Sequence, residues 1–340
     1  MSGRALICTR LGGPEELEVA DVPEPAPGPG EVVVVVSHVG LNFHDTLIIA
    51  GTHVVRPEPP FSPGSEYAGT VVAVGDGVTS VGAGDRVAGN EEYGCARDTV
   101  LVRADRVTVL PEHVTDRQAA AILVAYSTAY HALVQRAGLR AGETLAVLGA
   151  AGGVGSAAVD VGNLLGARVI AGASTPERAE SARRYGAHEV FSYGGTGEAG
   201  AAGTGDAKAA IKELTGGAGA DVVFDPVGGA VAESAVRAVA WGGRYLVVGF
   251  ASGGIPRVGL NIPLVKGSSV VGVFWGEFVR REREAHERNL RQIFDWAAAG
   301  RLRHHVHDVL PLDQGPRALR ELANGRVRGK LLLRAGGPGG

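Results

Sequence analysis

The sequence predicts an α/β protein with two parts, a doubly wound parallel sheet and a second, β-rich domain. The first third of the chain consists of short apolar runs separated by Pro and Gly, which is typical of antiparallel strands. From about Asp116 strands alternate with helices, and this pattern indicates a parallel sheet covered on both faces. Between one of these strands and its helix lies the glycine-rich segment "LGAAGGVG" at 148–155.

The elements follow in this order. In the first third the predicted strands are 5–9, 32–39, 70–74, 86–88 and 99–102, with a short helix near 45–50. In the alternating part the predicted strands are 145–149, 169–173, 222–225 and 245–249, and the helices are 154–165, 176–185 and 230–239. After about Leu264 a last strand, two helices and a terminal strand are too few for a third domain. We therefore expect a dinucleotide-binding domain over 123–264 and a β-rich domain over 1–122 and 265–340.

Composition excludes several classes of function. The 340 residues carry a net charge of -3, which gives no basic surface for nucleic acid or an anionic membrane, and no apolar stretch is long enough to span a bilayer. Two cysteines, Cys8 and Cys95, cannot form a disulfide framework or a four-ligand zinc site. The N-terminal segment lacks the layout of a signal peptide. We expect a cytoplasmic protein with reduced thiols.

The glycine-rich segment predicts a dinucleotide site. Gly152 allows the backbone to approach a pyrophosphate, and Gly155 allows the following helix to pack closely on the strand. The backbone N–H groups at Gly153 and Val154 begin that helix and point toward an anion. Ala150 takes the place of the first glycine in the usual G-x-G-x-x-G pattern. A phosphate loop for nucleoside triphosphates is excluded, because no Lys follows Gly155.

The second strand of the alternating part favours NADPH over NADH. An NAD site usually ends this strand with Asp or Glu, but here Ala173 and Ser174 stand there. Arg178 follows four residues after Ser174, where it can reach a 2′-phosphate. The alternative is that Arg178 is a solvated helix charge.

Seven segments identify a family resemblance: "GLNFHDTLIIAG", "PFSPGSEYAG", "VGAGDRVAG", "YSTAYHALV", "LGAAGGVG", "VGFASG" and "VVGVFWG". With these the chain resembles the zinc-independent quinone oxidoreductases of the medium-chain dehydrogenase/reductase superfamily, which include zeta-crystallin. The resemblance covers nearly the whole chain. It implies a GroES-like catalytic domain built from both chain ends, a Rossmann domain between them, a cleft where they meet and a homodimer formed through the strand near 270–274.

The resemblance also implies the site residues. Asn42 and Asp45 line the catalytic site beside the nicotinamide, and Lys330 matches a cationic position near the cofactor, although a lysine at the start of a strand is an equally good interpretation. Ser174, Arg178 and Tyr193 match the 2′-phosphate pocket. The other cofactor positions that the family implies are Thr128, Gly249, Phe250, Ala251, Phe274, Trp275 and Gly276.

Two departures bear on the chemistry. In the zinc-dependent alcohol dehydrogenases of the superfamily, a Cys and a His bind the metal where this chain has Asn42 and Ser65, so we predict no metal site. Asp45 is instead predicted to cap its short helix. The family usually has Tyr where this chain has His53. His53 is either a proton donor or a surface histidine on a loop.

These observations leave three hypotheses. The first is an NADPH-dependent reductase of a quinone or similar conjugated carbonyl. The second is a reductase of enones or enoyl thioesters. The third is a non-catalytic NADPH-binding protein. The tyrosine missing at position 53 favours the first, because a hydroquinone anion can take its proton from water.

Overall fold

The computed structural model describes residues 2–194 and 206–336. The chain divides into two compact units. Unit 1 comprises Met1–Val124, Leu290–Arg301 and His305–Gly340, and unit 2 comprises Ala125–Asn289 and Leu302–His304. Among the described residues, no helix combines the length and the apolar character needed to span a membrane.

The strands and helices have the following bounds. The strands are β1 Ser2–Cys8, β2 Leu17–Pro23, β3 Glu31–Leu41, β4 Glu66–Val74, β5 Arg86–Asn90, β6 Thr99–Arg103, β7 Val107–Val109, β8 Thr144–Val147, β9 Arg168–Ala173, β10 Glu189–Ser192, β11 Ala220–Asp225, β12 Val239–Val247, β13 Ser269–Gly272, β14 Val306–Pro311 and β15 Lys330–Arg334. The helices are α1 Phe43–Ile49, α2 Asp116–Tyr130, α3 Gly153–Leu164, α4 Pro176–Ser181, α5 Ala207–Leu214, α6 Gly229–Ala235, α7 Asn261–Lys266, α8 Trp275–Arg281, α9 Arg283–Ala298 and α10 Gly315–Ala323. A π-helical stretch, His131–Arg136, continues α2.

Unit 1 contains the predicted β-rich domain. Its main sheet runs in the order β14-β15-β3-β4-β5-β7, with β6 paired to β3, and β1 and β2 form a separate antiparallel pair. The long strand β3 is rich in β-branched valine, which favours a pleated, half-buried surface. Val32, Val34 and Val36 are fully buried in the core of this unit. The terminal strand β15 pairs with β3, so the C-terminal part returns to this sheet as predicted.

Unit 2 contains the predicted parallel sheet, in the order β10-β9-β8-β11-β12-β13. Neighbouring strands in this order are parallel. The central strands are continuously apolar because both faces are covered, and Leu145, Ala146 and Val147 of β8 are fully buried. The helices predicted at 176–185 and 230–239 end earlier as α-helices and finish in 3₁₀ turns at Ala182–Tyr185 and Val236–Ala238.

The segment after Leu264 departs from the prediction. We expected residues 265–340 in the β-rich domain, but β13 pairs in parallel with β12, from Arg244 opposite Ser269 to Val247 opposite Gly272. Residues up to Asn289 accordingly fall in unit 2. A short apolar strand carries no local signal for the sheet it joins, since that choice depends on backbone hydrogen bonds to a distant neighbour.

Candidate functional site

Two groups of candidate residues lie in separate units. The first is the glycine loop of unit 2, residues 149–155, which connects β8 to α3. The second is a polar cluster in unit 1, which we define as Asn42, His44, Asp45, Ser65, Glu66 and Lys330.

The glycine loop is shaped by two close approaches of the backbone. Gly149 has φ +62°, a conformation that favours glycine, so the tight turn lies one residue before Ala150. Ala150 is buried, and its N–H donates to the carbonyl of Gly172 at 3.0 Å. A Cβ at Gly155 would lie 2.1 Å from the carbonyl oxygen of Gly149. The predicted close packing at Gly155 is present in the structure.

The start of α3 has the properties of an anion site. Gly152 is the N-cap residue and provides no side-chain cap for the first turn. Gly152, Gly153 and Val154 are partly exposed. A Cβ at Gly152 would meet nothing closer than the Gly149 carbonyl oxygen at 3.4 Å, so the glycine is not required there by internal packing. An uncapped helix N-terminus beside open backbone fits the pyrophosphate of a dinucleotide.

The carboxyl ends of β9 and β10 bring together residues predicted for a 2′-phosphate. The Tyr193 hydroxyl accepts a hydrogen bond from the N–H of Gly149 at 3.1 Å and so joins β10 to the glycine loop. Burial raises the pKa of Tyr193 to about 12, and the positive charge of Arg178 acts in the opposite direction. Ser174 and Arg178 are partly exposed, and Thr175 caps α4 by accepting from the N–H of Arg178. This corner holds an arginine, the hydroxyl groups of Ser174, Thr175 and Tyr193, and no carboxylate at the end of β9.

The other positions predicted in unit 2 surround the ends of β12 and β13. Phe250 and Ala251 follow Gly249 in an exposed turn, where the N–H of Ala251 donates to the Pro226 carbonyl at 3.0 Å. Phe274 is exposed at the N-cap of α8 and Gly276 is exposed in its first turn. Thr128 is partly exposed on α2.

Trp275 belongs to an aromatic cluster that the sequence did not predict. Its ring is edge-on to His286 at 5.6 Å between centroids, and His131 stacks on Phe278 at 3.9 Å. Burial lowers the pKa of His286 to about 4.

The polar cluster is held by hydrogen bonds between side chains from one helix and two strands. Lys330 pairs with Glu66, and its ammonium donates to Oδ1 of Asn42 at 2.6 Å. Asn42 in turn donates to Oε1 of Glu66 at 2.7 Å and to Oγ of Ser65 at 3.2 Å. The second oxygen of Glu66 accepts from the N–H of Val124 at 2.8 Å. Glu66 and Lys330 are buried, and each charge is matched by the other.

Asp45 and His44 complete the polar cluster at the start of α1. Asp45 accepts from the N–H of the N-cap residue Asn42 at 2.7 Å, which is the capping role predicted for it. The His44 Nε2 lies 2.8 Å from Oγ of Ser65 and 3.8 Å from Oδ1 of Asp45. Burial raises the pKa of Asp45 to about 6. Burial, aided by the charge of Lys330, lowers the pKa of His44 to about 4.

His53 lies beside this cluster. Its ring centroid is 5.8 Å from that of His44, and its Nδ1 accepts from the N–H of Val55 at 3.1 Å. The side chain is partly exposed, and burial lowers its pKa. Sequence reasoning singled out neither Glu66 nor His44 as a site residue. The signal for Glu66 was a lone carboxylate at the start of the apolar strand "EYAGTVVAV".

In the described parts of the chain, no three His, Cys, Asp or Glu side chains are grouped so as to hold a metal ion. Asn42 and Ser65, at the positions compared with zinc ligands above, are hydrogen-bonded to each other and to other members of the polar cluster.

Comparison with known proteins gives consistent matches over both units. Residues 28–112 match the alcohol dehydrogenase GroES-like domain, and residues 153–292 match the zinc-binding dehydrogenase family. The chain is 35% identical to quinone oxidoreductase-like protein 2 of Bos taurus over 331 residues, which is 97% of this chain and 92% of that protein.

Two solved structures share the fold over nearly the whole chain. The quinone oxidoreductase of Pseudomonas syringae pv. Tomato DC3000 is 32% identical with a TM-score of 0.88, covering 98% of this chain and 100% of that one. The Escherichia coli quinone oxidoreductase complexed with NADPH is 29% identical with a TM-score of 0.86, covering 97% and 99%.

Proposed function

Because the chain belongs to the quinone oxidoreductase family of the medium-chain dehydrogenase/reductase superfamily, we propose that it is an NADPH-dependent reductase of quinones or similar conjugated carbonyls that works without a metal. The observation that carries this proposal is the glycine loop joined through Tyr193 to a corner that has Arg178 and no carboxylate at the end of β9. The NADPH complex of the Escherichia coli relative supports the choice of cofactor.

When bound, NADPH supplies a hydride to the acceptor. The backbone at Gly152, Gly153 and Val154 would hold the pyrophosphate, with Ala150 in the turn before it. Arg178, Ser174 and Tyr193 would hold the 2′-phosphate, since the Tyr193 hydroxyl accepts from Gly149 and keeps its own proton to donate. We assign the remaining contacts of unit 2 to Thr128, Gly249, Phe250, Ala251, Phe274, Trp275 and Gly276.

In unit 1 we assign Asn42 and Asp45 to the acceptor side of the reaction. The Asn42 amide is fixed by Lys330, Glu66 and Ser65, and a side chain held by several hydrogen bonds is preorganised for a polar ligand. Lys330 acts in this scheme through Asn42 and Glu66, because both lie within its hydrogen-bond reach.

Metal independence is part of the proposal. Activity should survive dialysis against a strong chelator, and elemental analysis should find well under one zinc per chain. Stoichiometric zinc whose removal abolishes turnover would contradict the assignment of Asn42 and Ser65 as hydrogen-bonding groups.

A reductase of enones or enoyl thioesters is the second candidate. Its specific support is the placement of His53 beside His44, because protonating a carbon atom after hydride addition calls for a positioned acid. A purified-protein panel of quinones, enones and enoyl thioesters with NADPH separates the candidates by kcat/KM. NADPH binding without acceleration by any acceptor would favour the third, non-catalytic hypothesis.

We also propose a homodimer formed through β13. This strand lies at the edge of its sheet, and Val270 on it is 49% exposed. On the neighbouring strand β12, Trp241 is 81% exposed, and Leu260, the N-cap residue of α7, is 85% exposed. An edge strand with an exposed apolar side chain, close to other exposed apolar side chains of its unit, favours pairing with a second copy. Light scattering should give twice the chain mass, and Val270→Lys should give a monomer; a monomeric wild-type protein would refute this assignment.

Both cysteines are free and buried, which agrees with a reducing compartment, and we propose the cytoplasm.

A further inference from the structure

Asp225 is a buried carboxylate at the carboxyl end of β11, outside the residues assigned to the cofactor. Its Oδ1 accepts from the N–H of Val227 at 2.7 Å and from the N–H of Gly228 at 3.0 Å. Its Oδ2 accepts from the hydroxyl of Tyr245 on β12 at 2.6 Å. One oxygen therefore holds the turn between β11 and α6, residues 226–228, and the other binds a tyrosine in the core of unit 2.

The 226–228 turn supports a second backbone segment, residues 249–252. Three N–H groups of this segment donate to consecutive carbonyl groups at and just after the end of β11, at 3.3, 3.0 and 2.9 Å. These hydrogen bonds run from Gly249 to Asp225, from Ala251 to Pro226 and from Ser252 to Val227. The Phe250 ring lies against Gly228, where an added Cβ would come within 2.8 Å of Phe250 Cδ1. The backbone that presents Phe250 is therefore fixed by the turn that the carboxylate holds.

The glycine loop touches the same turn but has supports of its own. Val227 packs over Gly149, since its Cγ2 would lie 2.9 Å from a Cβ added there. The loop also makes hydrogen bonds to the carbonyl of Gly172 and to the hydroxyl of Tyr193. Loss of the buried carboxylate should therefore disturb the Phe250 side of the cofactor site and leave the pyrophosphate side in place.

Resting on the proposed function, we propose that Asp225 is a positioning residue that acts through the 226–228 turn and fixes the 249–252 segment for the nicotinamide half of NADPH. A binding segment that is already fixed loses less conformational entropy when its ligand binds. It also holds the reacting group at the distance and angle that the reaction needs.

The test measures the affinity of each variant for NADPH and for 2′-phospho-ADP-ribose, which is the cofactor without its nicotinamide. For Asp225→Ala we expect the Kd for NADPH to rise about tenfold or more and the Kd for the fragment to stay within about threefold. With a naphthoquinone as acceptor, kcat should fall by up to about a hundredfold, since a misplacement of about 1 Å can cost that much.

Two further variants separate positioning from stability. Asp225→Asn keeps an oxygen for the two N–H groups of the turn, and its amide can donate to the Tyr245 hydroxyl, so the Kd for NADPH should return to within about threefold of wild type. Tyr245→Phe removes the hydrogen bond to Oδ2 and leaves the turn held. It should lower the melting temperature, because the carboxylate loses a buried partner, while both Kd values stay within about threefold of wild type.

Gly228→Ala tests the same turn if Asp225→Ala fails to fold. The added Cβ presses on Phe250 while the carboxylate stays in place, and Gly228 has φ +70°, which a side chain disfavours. We expect the same pattern, a weaker affinity for NADPH and an unchanged affinity for the fragment.

Several outcomes would overturn the positioning role. They are equal weakening of both ligands by Asp225→Ala or Gly228→Ala, unchanged NADPH affinity in these variants, and failure of Asp225→Asn to restore it. Affinity that follows melting temperature alike in Asp225→Ala and Tyr245→Phe would make Asp225 a structural residue. A wild-type protein that reduces quinones but binds the fragment as tightly as NADPH would also exclude this role and leave the proposed function standing. A wild-type protein that binds neither ligand would refute the proposed function itself.

Discussion

The glycine loop and the polar cluster are candidate functional regions that are built in opposite ways. The glycine loop spans seven consecutive residues, and its shape comes from backbone, with Gly155 packed against the Gly149 carbonyl. The polar cluster consists of side chains, and one of its hydrogen bonds joins residues 288 positions apart, Lys330 and Asn42. The loop therefore depends on what local sequence permits, and the cluster depends on the pairing of β15 and β4 with β3.

The two regions also differ in how their polar groups are satisfied when no ligand is bound. Backbone N–H groups at a partly exposed helix start are solvated by water. A buried charge has no such alternative, so the Glu66–Lys330 pair must be complete in the folded protein. This difference predicts where substitutions will reduce stability and where they will reduce binding.

The largest expected effect is on the stability of unit 1. Lys330→Met leaves the Glu66 carboxylate buried without its partner, and such a change costs about 3–5 kcal/mol. The melting temperature should fall sharply. The double variant Lys330→Met/Glu66→Gln should recover part of the lost stability. The control Arg103→Met breaks the exposed pair with Asp105, and its free energy of unfolding should stay within about 0.5 kcal/mol of the wild-type value. A small effect of Lys330→Met alone would show that the cluster is not needed for folding.

The next effect is on cofactor choice. Arg178→Ala should remove a charged hydrogen bond to the 2′-phosphate and weaken NADPH by ~1.5–3 kcal/mol, or about ten- to a hundredfold in Kd. NADH affinity should be nearly unchanged. Arg183→Ala removes an exposed arginine paired with Glu180 on the same stretch and serves as the matched control. Equal weakening of both cofactors would make Arg178 a structural residue.

Two glycines of the loop should respond differently to the same methyl group. Gly155→Ala places a Cβ against the Gly149 carbonyl, and overpacking of this kind costs about 1–3 kcal/mol. Gly152→Ala meets no close atom and should cost less than about 1 kcal/mol, yet it should raise the Kd for NADPH because the methyl occupies the approach to the helix start. Titration calorimetry and melting curves separate the two effects. Similar stabilities of the two variants would contradict the packing role of Gly155.

The smallest effect is a pH dependence that distinguishes the units. His286 in unit 2 has a folded pKa of about 4, below the ordinary value of 6.5, so its contribution to stability is complete above pH 6.5 and is lost as the pH falls toward 4. The slope from one such group is at most about 1.4 kcal/mol per pH unit. His286→Leu should decline less steeply than wild type between pH 6.5 and 4. Parallel declines would show that His286 stays neutral in both states.

In unit 1 two neighbouring groups act in opposite directions. His44, with a pKa of about 4, loses stability as the pH falls, whereas Asp45, with a pKa of about 6, contributes stability at low pH that is lost as the pH rises through 6. The two contributions offset each other between about pH 4 and 6.

Much of the fold was predictable because it follows from local patterns of apolar, glycine and charged residues in the sequence. The apolar strands 145–149 and 222–225, the helix after the glycine loop and the missing acid at the end of β9 are all local features of the sequence. The prediction that β13 belongs to the β-rich domain was wrong, because the strand pairs with β12 of the parallel sheet. The "SSVVGVFW" segment is compatible with either sheet, so its sequence does not indicate which one it joins. His53 was left open between two interpretations, and only its distance to His44 gave it a chemical neighbour.

The sequence by itself determined the close approach of α3 to the glycine loop, since Gly155 and its neighbours lie next to each other in the chain. The turn at Gly149 was found only in the structure. The sequence also determined that no acid stands at the end of β9, where it would repel a 2′-phosphate, and that a cation follows at position 178. Only the tertiary structure decided that Lys330 is neutralised by Glu66, that Asn42 is fixed between them and that His44 and His53 share one environment. The physical reason is that the energy of a buried charge depends on its partner. Strand pairing places that partner beside it from hundreds of residues away in the sequence, so no local sequence pattern can identify it.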